Sequence, residues 1–245
     1  MLTSTSYESV VALSRALGVS DMTIRRDLVI LEREGLIRRT HGGAVAEQMS
    51  EWSFAFEVRR SQQVAAKASI AAHAAAQLPR GAAVYLDAGT TVLAMAPALA
   101  SRSDLTIVTP SVALVTCLQQ AAATPTLILL GGTFRADLMS VIGPLAEQNL
   151  ATFHVDVAVL GTGGYDAQRG LTLSTMEEIP LKKTAARQAD RVLVLATREK
   201  LGRNGMIYFL APEEIDAVIV DEDPMTGDPL LEIAGSVPPA ASTPR

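Results

Sequence analysis

Seventeen arginines and only four lysines, Lys67, Lys182, Lys183 and Lys200, make every lysine of this 245-residue chain worth placing. A lysine ammonium is a compact point charge on a flexible stem, where an arginine is a rigid planar fork. Lys182 stands four residues after Glu178 on a helix-compatible stretch. The pair is either a surface ion pair worth roughly 0.2–0.5 kcal/mol or a carboxylate and a cation offered together to a ligand. Lys200 directly follows the apolar run RVLVLAT, so two lysines can converge on one crevice.

Four loops carry the remaining groups able to hold a small polar ligand. In DAGTT, backbone N–H groups and two hydroxyls at a helix start would cradle an anion, with Asp87, Gly89, Thr90 and Thr91 as candidates. Thr109 and Ser111 of TPS give a second hydroxyl-rich turn before a helix. Gly132 and Arg135 of GGTFR place a cation where an anionic ligand could be met, and GTGGYD adds Gly161, Gly163 and Asp166, a carboxylate able to accept from sugar hydroxyls. With Glu178, Lys182 and Lys200 these residues form one candidate set for a small polar ligand. Nothing points to a catalytic nucleophile or a metal. His41, His73 and His154 are scattered without ligand spacing, and no cofactor is expected. Cys117 lies in the apolar run VALVTCL and is expected to be a buried structural thiol.

A second cluster does different chemistry. Residues 15–41 hold six arginines against four acids, whereas residues 49–245 hold fifteen cations against twenty acids, so only the front of this chain of net charge −5 suits a polyanion. In SVVALSRALG, Val10, Leu13 and Leu17 recur at helical spacing and Gly18 marks the stop. Ser20 is a good N-cap for a second helix with Ile24, Leu28 and Leu31 as its buried stripe. Thr23, Arg25 and Arg26 then project outward from the start of that helix, as in a helix-turn-helix that reads the major groove. LIRRTHGGAV follows as a short β-ribbon wing, with Arg38, Arg39 and His41 aimed at phosphates. The competing reading is a solvated hairpin whose arginines pair with Asp27, Glu32 and Glu34.

These clusters need positioning elements. Six apolar runs, AVYLDAG, LTIVTP, TLILLGG, VDVAVLG, RVLVLAT and DAVIVDE, alternate with helix-compatible segments and predict a mainly parallel sheet buried on both faces. Ligands of such sheets sit beyond the strand C-termini, where the four loops lie. The expected organisation is a winged helix-turn-helix over 1–46, a linker over 47–57, an α/β domain over 58–235 and a disordered tail over 236–245. Trp52, Phe54 and Phe56 of the linker are expected to dock on a neighbouring surface, and a helix is expected from Val58 to Leu78. No apolar run reaches transmembrane length and no signal peptide is evident, so the expectation is a cytoplasmic protein without membrane contact.

The wording LGVSDMTIRRDLVILEREGLIRRTHGGAV closely resembles the winged helix-turn-helix of DeoR-type transcriptional regulators. The later pieces D-x-GTT, GG, S-x-IG, G-x-D-x-x-x-G, E-x-x-x-K and K-x-GR resemble that family's effector domain in the same order, from Asp87 to Arg203. The resemblance spans about residues 8–222. It implies an effector domain of the ribose-5-phosphate isomerase or CoA transferase-like type, double-stranded operator DNA as a partner, and a homo-oligomer, dimer or tetramer. It further implies a repressor of carbohydrate-metabolism genes controlled by a phosphorylated sugar. The alternative from another class is a sugar-phosphate isomerase or deaminase on the same scaffold, with Glu178 as general base. Members of the family carry one more helix ahead of the one placed at Ser9, and this chain begins only eight residues before it. Either translation starts further upstream or DNA binding is weak. Thr109-Pro110 and Thr197 depart from the family's usual T-N and aspartate.

Overall fold

A computed structural model describes residues 7–33, 37–40, 42–46, 51–121, 123–221 and 232–234. Its contacts divide the chain into two units, Met1–Val64 with Ala136–Leu138, and Ala65–Arg135 with Met139–Arg245.

The N-terminal unit begins with β1 (Tyr7–Ser9), α1 (Val10–Leu17) and α2 (Asp21–Arg33). Each boundary has a local cause. Ser9 accepts the Ala12 amide as N-cap of α1, and Gly18 closes that helix in the left-handed conformation, φ 67°. Ser20 accepts the Thr23 amide at 3.2 Å to start α2. Strands β2 (Ile37–Arg39) and β3 (Gly43–Ala46) form the wing, and α3 (Glu51–Ser61) follows. The sheet order is β1-β3-β2, all antiparallel, so the wing gains a third strand that the sequence reading lacks. Gly43 is where β1 crosses the wing: a Cβ there would come within 2.9 Å of Ser9 Cα, a distance real side chains do not adopt. Val10, Leu13, Ile24, Leu28, Ile37 and Ala44 make this unit's core, with Leu31 packed against it. Leu17, expected inside, is exposed on the last turn of α1.

α4 (Val64–Ala76) leads into the second unit. The expected single helix from Val58 to Leu78 is broken between α3 and α4, where Gln63 takes φ 51°. Residues 51–57, expected as linker, already belong to α3. Phe56 is buried, while the side chains of Trp52 and Phe54 and the tail over 236–245 fall outside what is described.

The strands β4 (Ala83–Leu86), β5 (Thr106–Thr109) and β6 (Thr126–Leu129) alternate with α5 (Thr90–Leu93), α6 (Ala96–Leu99) and α7 (Val112–Leu118). A hairpin of β7 (Thr133–Arg135) and β8 (Ser140–Ile142) precedes α8 (Pro144–Leu150) and β9 (Val155–Gly161). Then come β10 (Gly164–Asp166), β11 (Gly170–Leu173), α9 (Ile179–Arg187), β12 (Ala189–Leu195), β13 (Ile207–Leu210), β14 (Ala217–Ile219) and β15 (Glu232–Ala234). The main sheet runs β15-β14-β12-β9-β4-β5-β6, parallel throughout except for β15. All six apolar runs of the sequence are in it. Val84, Tyr85 and Leu86 of β4 and Val157 to Leu160 of β9 are all buried, as central strands covered on both faces require.

Cys117 corrects the expectation of a buried thiol: it is exposed. The buried residues of α7 are Ala113, Leu114 and Leu118, and the helix ends one residue after the cysteine.

Candidate functional site

Each unit gathers one cluster of the residues singled out in the sequence.

On α2 the buried stripe is Ile24 and Leu28, which leaves Arg25 and Arg26 exposed on the other side of the helix. Among the described residues no acidic side chain pairs with either arginine. Arg39 of the wing does find a partner, since its backbone amide and guanidinium both reach Glu32, at 3.0 and 3.7 Å. That exposed pair contributes little stability and fixes the wing against α2. Ser20 and Thr23 are committed to each other through a 2.9 Å hydroxyl contact at the helix start. Arg38 lies on β2, and His41 is outside the described residues. The result is an exposed cationic edge at the start of a helix, with a wing beside it.

In the second unit the chemistry gathers at the C-terminal ends of β4, β9 and β12. Asp87 follows β4 and is buried; its Oδ2 accepts the Gly161 amide at 2.9 Å and a hydrogen bond from Lys182 Nζ. Lys182, also buried on α9, donates in addition to the Gly161 carbonyl at 3.1 Å and lies 3.9 Å from Glu178. Burial alone would lower the Lys182 pKa, but the Asp87 and Glu178 carboxylates outweigh it, so the ammonium holds its proton more tightly than usual. Lys200 Nζ donates to the next carbonyl, that of Thr162, at 2.8 Å. The two lysines singled out by their rarity therefore meet adjacent carbonyls at the end of one strand. Tyr85 lies on β4 beside them, its hydroxyl buried without a partner among the described residues; burial first, then Asp87 and Glu178, raise its pKa well above the usual value.

The Asp87–Thr91 loop closes onto the same place. A side chain at Gly161 would fall 3.6 Å from Asp87 Oδ2 and 3.9 Å from the Ala88 carbonyl. Gly89 and Thr90 are half-buried and Thr91 is buried. No backbone carbonyl among the described residues accepts from the amides of Thr90, Thr91 or Val92. The Thr109–Ser111 loop differs. Thr109 is buried and donates to the Leu86 carbonyl, Ser111 accepts the Leu114 amide, and the Met139 carbonyl takes the amides of Val112 and Ala113. That helix start is already capped by protein.

The other predicted residues have visible local work. Gly132 takes φ 157°, and a Cβ on it would lie 2.7 Å from the Ile142 carbonyl, so it permits a close passage beside β8. Arg135 reaches exposed Glu177, next to Glu178, at 3.4 Å. Gly163 lies half-buried against β11, its amide donating to the Thr172 carbonyl at 3.1 Å. Asp166 accepts the amides of Gln168 and Arg169 at 2.9 Å each, closing the turn between β10 and β11, and those bonds hold its pKa below the carboxylate range. Tyr85 is the residue that sequence reasoning missed; as part of an apolar strand run it carried no signal. Thr197, noted as a departure, also has a buried hydroxyl without a partner among the described residues.

Comparison with known proteins fits this division. The model of the DeoR-like helix-turn-helix domain matches residues 1–49 and that of the DeoR C terminal sensor domain matches residues 62–222. The HTH-type transcriptional regulator GlpR of Haloferax volcanii is 36% identical over 213 residues, covering 87% of this chain and 83% of that protein. The glycerol-3-phosphate regulon repressor of Escherichia coli K12 is 33% identical over 218 residues, covering 89% and 86%. Among solved structures, ribose 5-phosphate isomerase A of Methanocaldococcus jannaschii matches 69% of this chain and 97% of its own, with 13% identity and a TM-score of 0.47. No helix among the described residues is long and apolar enough to cross a membrane. A helix-turn-helix with an exposed arginine edge, followed by a parallel α/β sensor unit in the matching order, makes this chain a member of the DeoR family of DNA-binding transcriptional regulators.

Proposed function

We propose that this regulator is a repressor of carbohydrate-metabolism genes whose hold on its operator is changed by a phosphorylated sugar bound at the ends of β4, β9 and β12. One observation carries the reading: the amides of Thr90 to Val92, which no backbone carbonyl among the described residues accepts from, lie in the loop that packs on Gly161, where two lysines meet consecutive carbonyls. α5 is only four residues long, so the attraction for a phosphate comes from those individual N–H groups and the Thr90 hydroxyl more than from a helix dipole. The sugar hydroxyls then face Glu178 and Lys200, the half-buried polar groups of the cluster. The relative named for the glycerol-3-phosphate regulon supports a small phosphorylated polyol as the class of effector. The same scaffold used as an isomerase would need Glu178 free as a base, yet it lies 3.9 Å from Lys182 and the chain carries a DNA-binding domain that such an enzyme does not use.

Calorimetry of the full chain with a panel of sugar phosphates and their unphosphorylated parents tests the assignment. Thr90→Asp sets a carboxylate against the incoming anion and costs on the order of several kcal/mol, enough to lose a micromolar ligand. Lys200→Ala weakens the same ligand by about 1.5–3 kcal/mol, one charge-assisted hydrogen bond. Equal affinity for sugars with and without phosphate, or unchanged binding by the Thr90→Asp protein, refutes the phosphate cradle.

A further inference from the structure

α2 presents an apolar residue where a DNA-reading helix is expected to be polar. Met22, in the first turn, is 77% exposed. It stands one helical turn before Arg26 and on the same side, opposite the buried Ile24 and Leu28. Isolated exposed apolar side chains are ordinary. This one lines a shallow concavity of about 650 Å³ whose other apolar members are Val29 and Ile30 and whose charged members are Arg25, Arg26 and Arg39 against Asp27, a frame with more cations than acids.

The neighbouring polar groups narrow what Met22 can do. Ser20 and Thr23, the hydroxyls nearest the helix start, hydrogen-bond each other at 2.9 Å, which leaves them poorly free to read base edges. Arg25 and Arg26 supply donors suited to guanine edges and phosphates. An unbranched thioether beside them suits the one apolar group that the major groove displays between rows of phosphates, the 5-methyl of thymine. A protein partner would have to be acidic and apolar at once over the same few residues, whereas a duplex offers both properties by construction.

We propose that Met22 is a specificity-determining residue that packs on a thymine methyl in the operator. The proposal rests on α2 being the recognition helix, and the test separates the two. A duplex is selected from a randomised pool by the full-length chain, and each thymine is replaced in turn by deoxyuridine, which removes only the methyl. At one or more thymines the wild-type chain loses about four-fold in affinity, the worth of one buried methyl, and the Met22→Ala chain is indifferent to the same replacement. Met22 is exposed, so Met22→Ala and Met22→Gln keep the wild-type melting curve, and Met22→Gln shifts the selected base away from thymine. If Arg26→Ala abolishes binding while no deoxyuridine replacement depends on residue 22, α2 reads DNA and the thymine contact is refuted. Selection of no sequence by the wild-type chain overturns the recognition helix and the contact together. A Met22→Ala chain that changes its mass by light scattering but keeps its deoxyuridine profile marks a protein contact and also refutes the proposal.

Discussion

Asp87 and Lys182 are ninety-five positions apart in sequence and share a hydrogen bond in the interior, with Gly161 bonded to both. Each compensates the other's desolvation, so removing one leaves a buried charge alone. Lys182→Met is expected to lower unfolding free energy by about 3–5 kcal/mol, and adding Asp87→Asn to recover part of it. Urea denaturation of the two proteins checks this; a loss below about 1 kcal/mol for Lys182→Met contradicts a buried brace. The protons of this cluster set a second expectation. Both the Lys182 ammonium and the Tyr85 phenol have folded-state pKa values above their ordinary ones. Groups of that sign stabilise fully below their unfolded pKa, about 10 for both, and lose the contribution as pH rises beyond it. Stability should therefore be level from neutrality and fall above about pH 10, more gently in Lys182→Met; a level profile to pH 11 contradicts the assignment. The rarity of lysine pointed to Lys182 and Lys200, but nothing local could reveal that Lys182 spends its charge on Asp87. That pairing exists only once β4 and α9 are packed.

Gly43 shows how an element can depend on a missing side chain. β1 passes so close to the wing that any Cβ meets the Glu8 and Ser9 backbone, and Val10 donates to the Gly42 carbonyl at 2.9 Å beside it. Gly43→Ala should destabilise the N-terminal unit by about 1–3 kcal/mol of overpacking and raise hydrogen exchange across residues 37–46, with the second unit unchanged. Unaltered exchange would mean that β1 does not brace the wing. The helices and long parallel strands were legible because their signals are local: a Ser cap, a glycine stop, and unbroken apolar runs. The hairpin of β7 and β8 and the sheet of β10, β11 and β13 were not. Apart from β13, their strands mix polar or glycine positions with apolar ones, and β13 meets its partner β11 far away in sequence, Thr172 opposite Tyr208. The glycines of GTGGYD also have packing work of their own: a Cβ at Gly164 would meet the Arg203 carbonyl and one at Gly163 would lie 3.1 Å from the Thr172 carbonyl.

At the level of the whole molecule, a helix-turn-helix domain and a sensor domain lie on one chain. Helix-turn-helix proteins reach adjacent half-sites in pairs, so the full chain should be a dimer or larger by light scattering, with operator affinity that falls when it is diluted to monomer. A monomer that binds with full affinity contradicts this. Arg25→Ala with Arg26→Ala should weaken operator binding and flatten its dependence on salt, because lost phosphate contacts release fewer counterions. Regulation further requires that the effector bind two states unequally, typically by about 1–3 kcal/mol, which appears as a roughly five- to 150-fold change in operator affinity. The most direct measurement is fluorescence anisotropy of a labelled operator bound to the full chain, titrated with sugar phosphates and with the parent sugars at fixed salt. The account predicts that at least one phosphate shifts the DNA dissociation constant within that range, that its parent sugar does not, and that the Thr90→Asp chain binds the operator normally but ignores the phosphate. Operator affinity indifferent to every sugar phosphate, or an equal response to the unphosphorylated sugars, would contradict it.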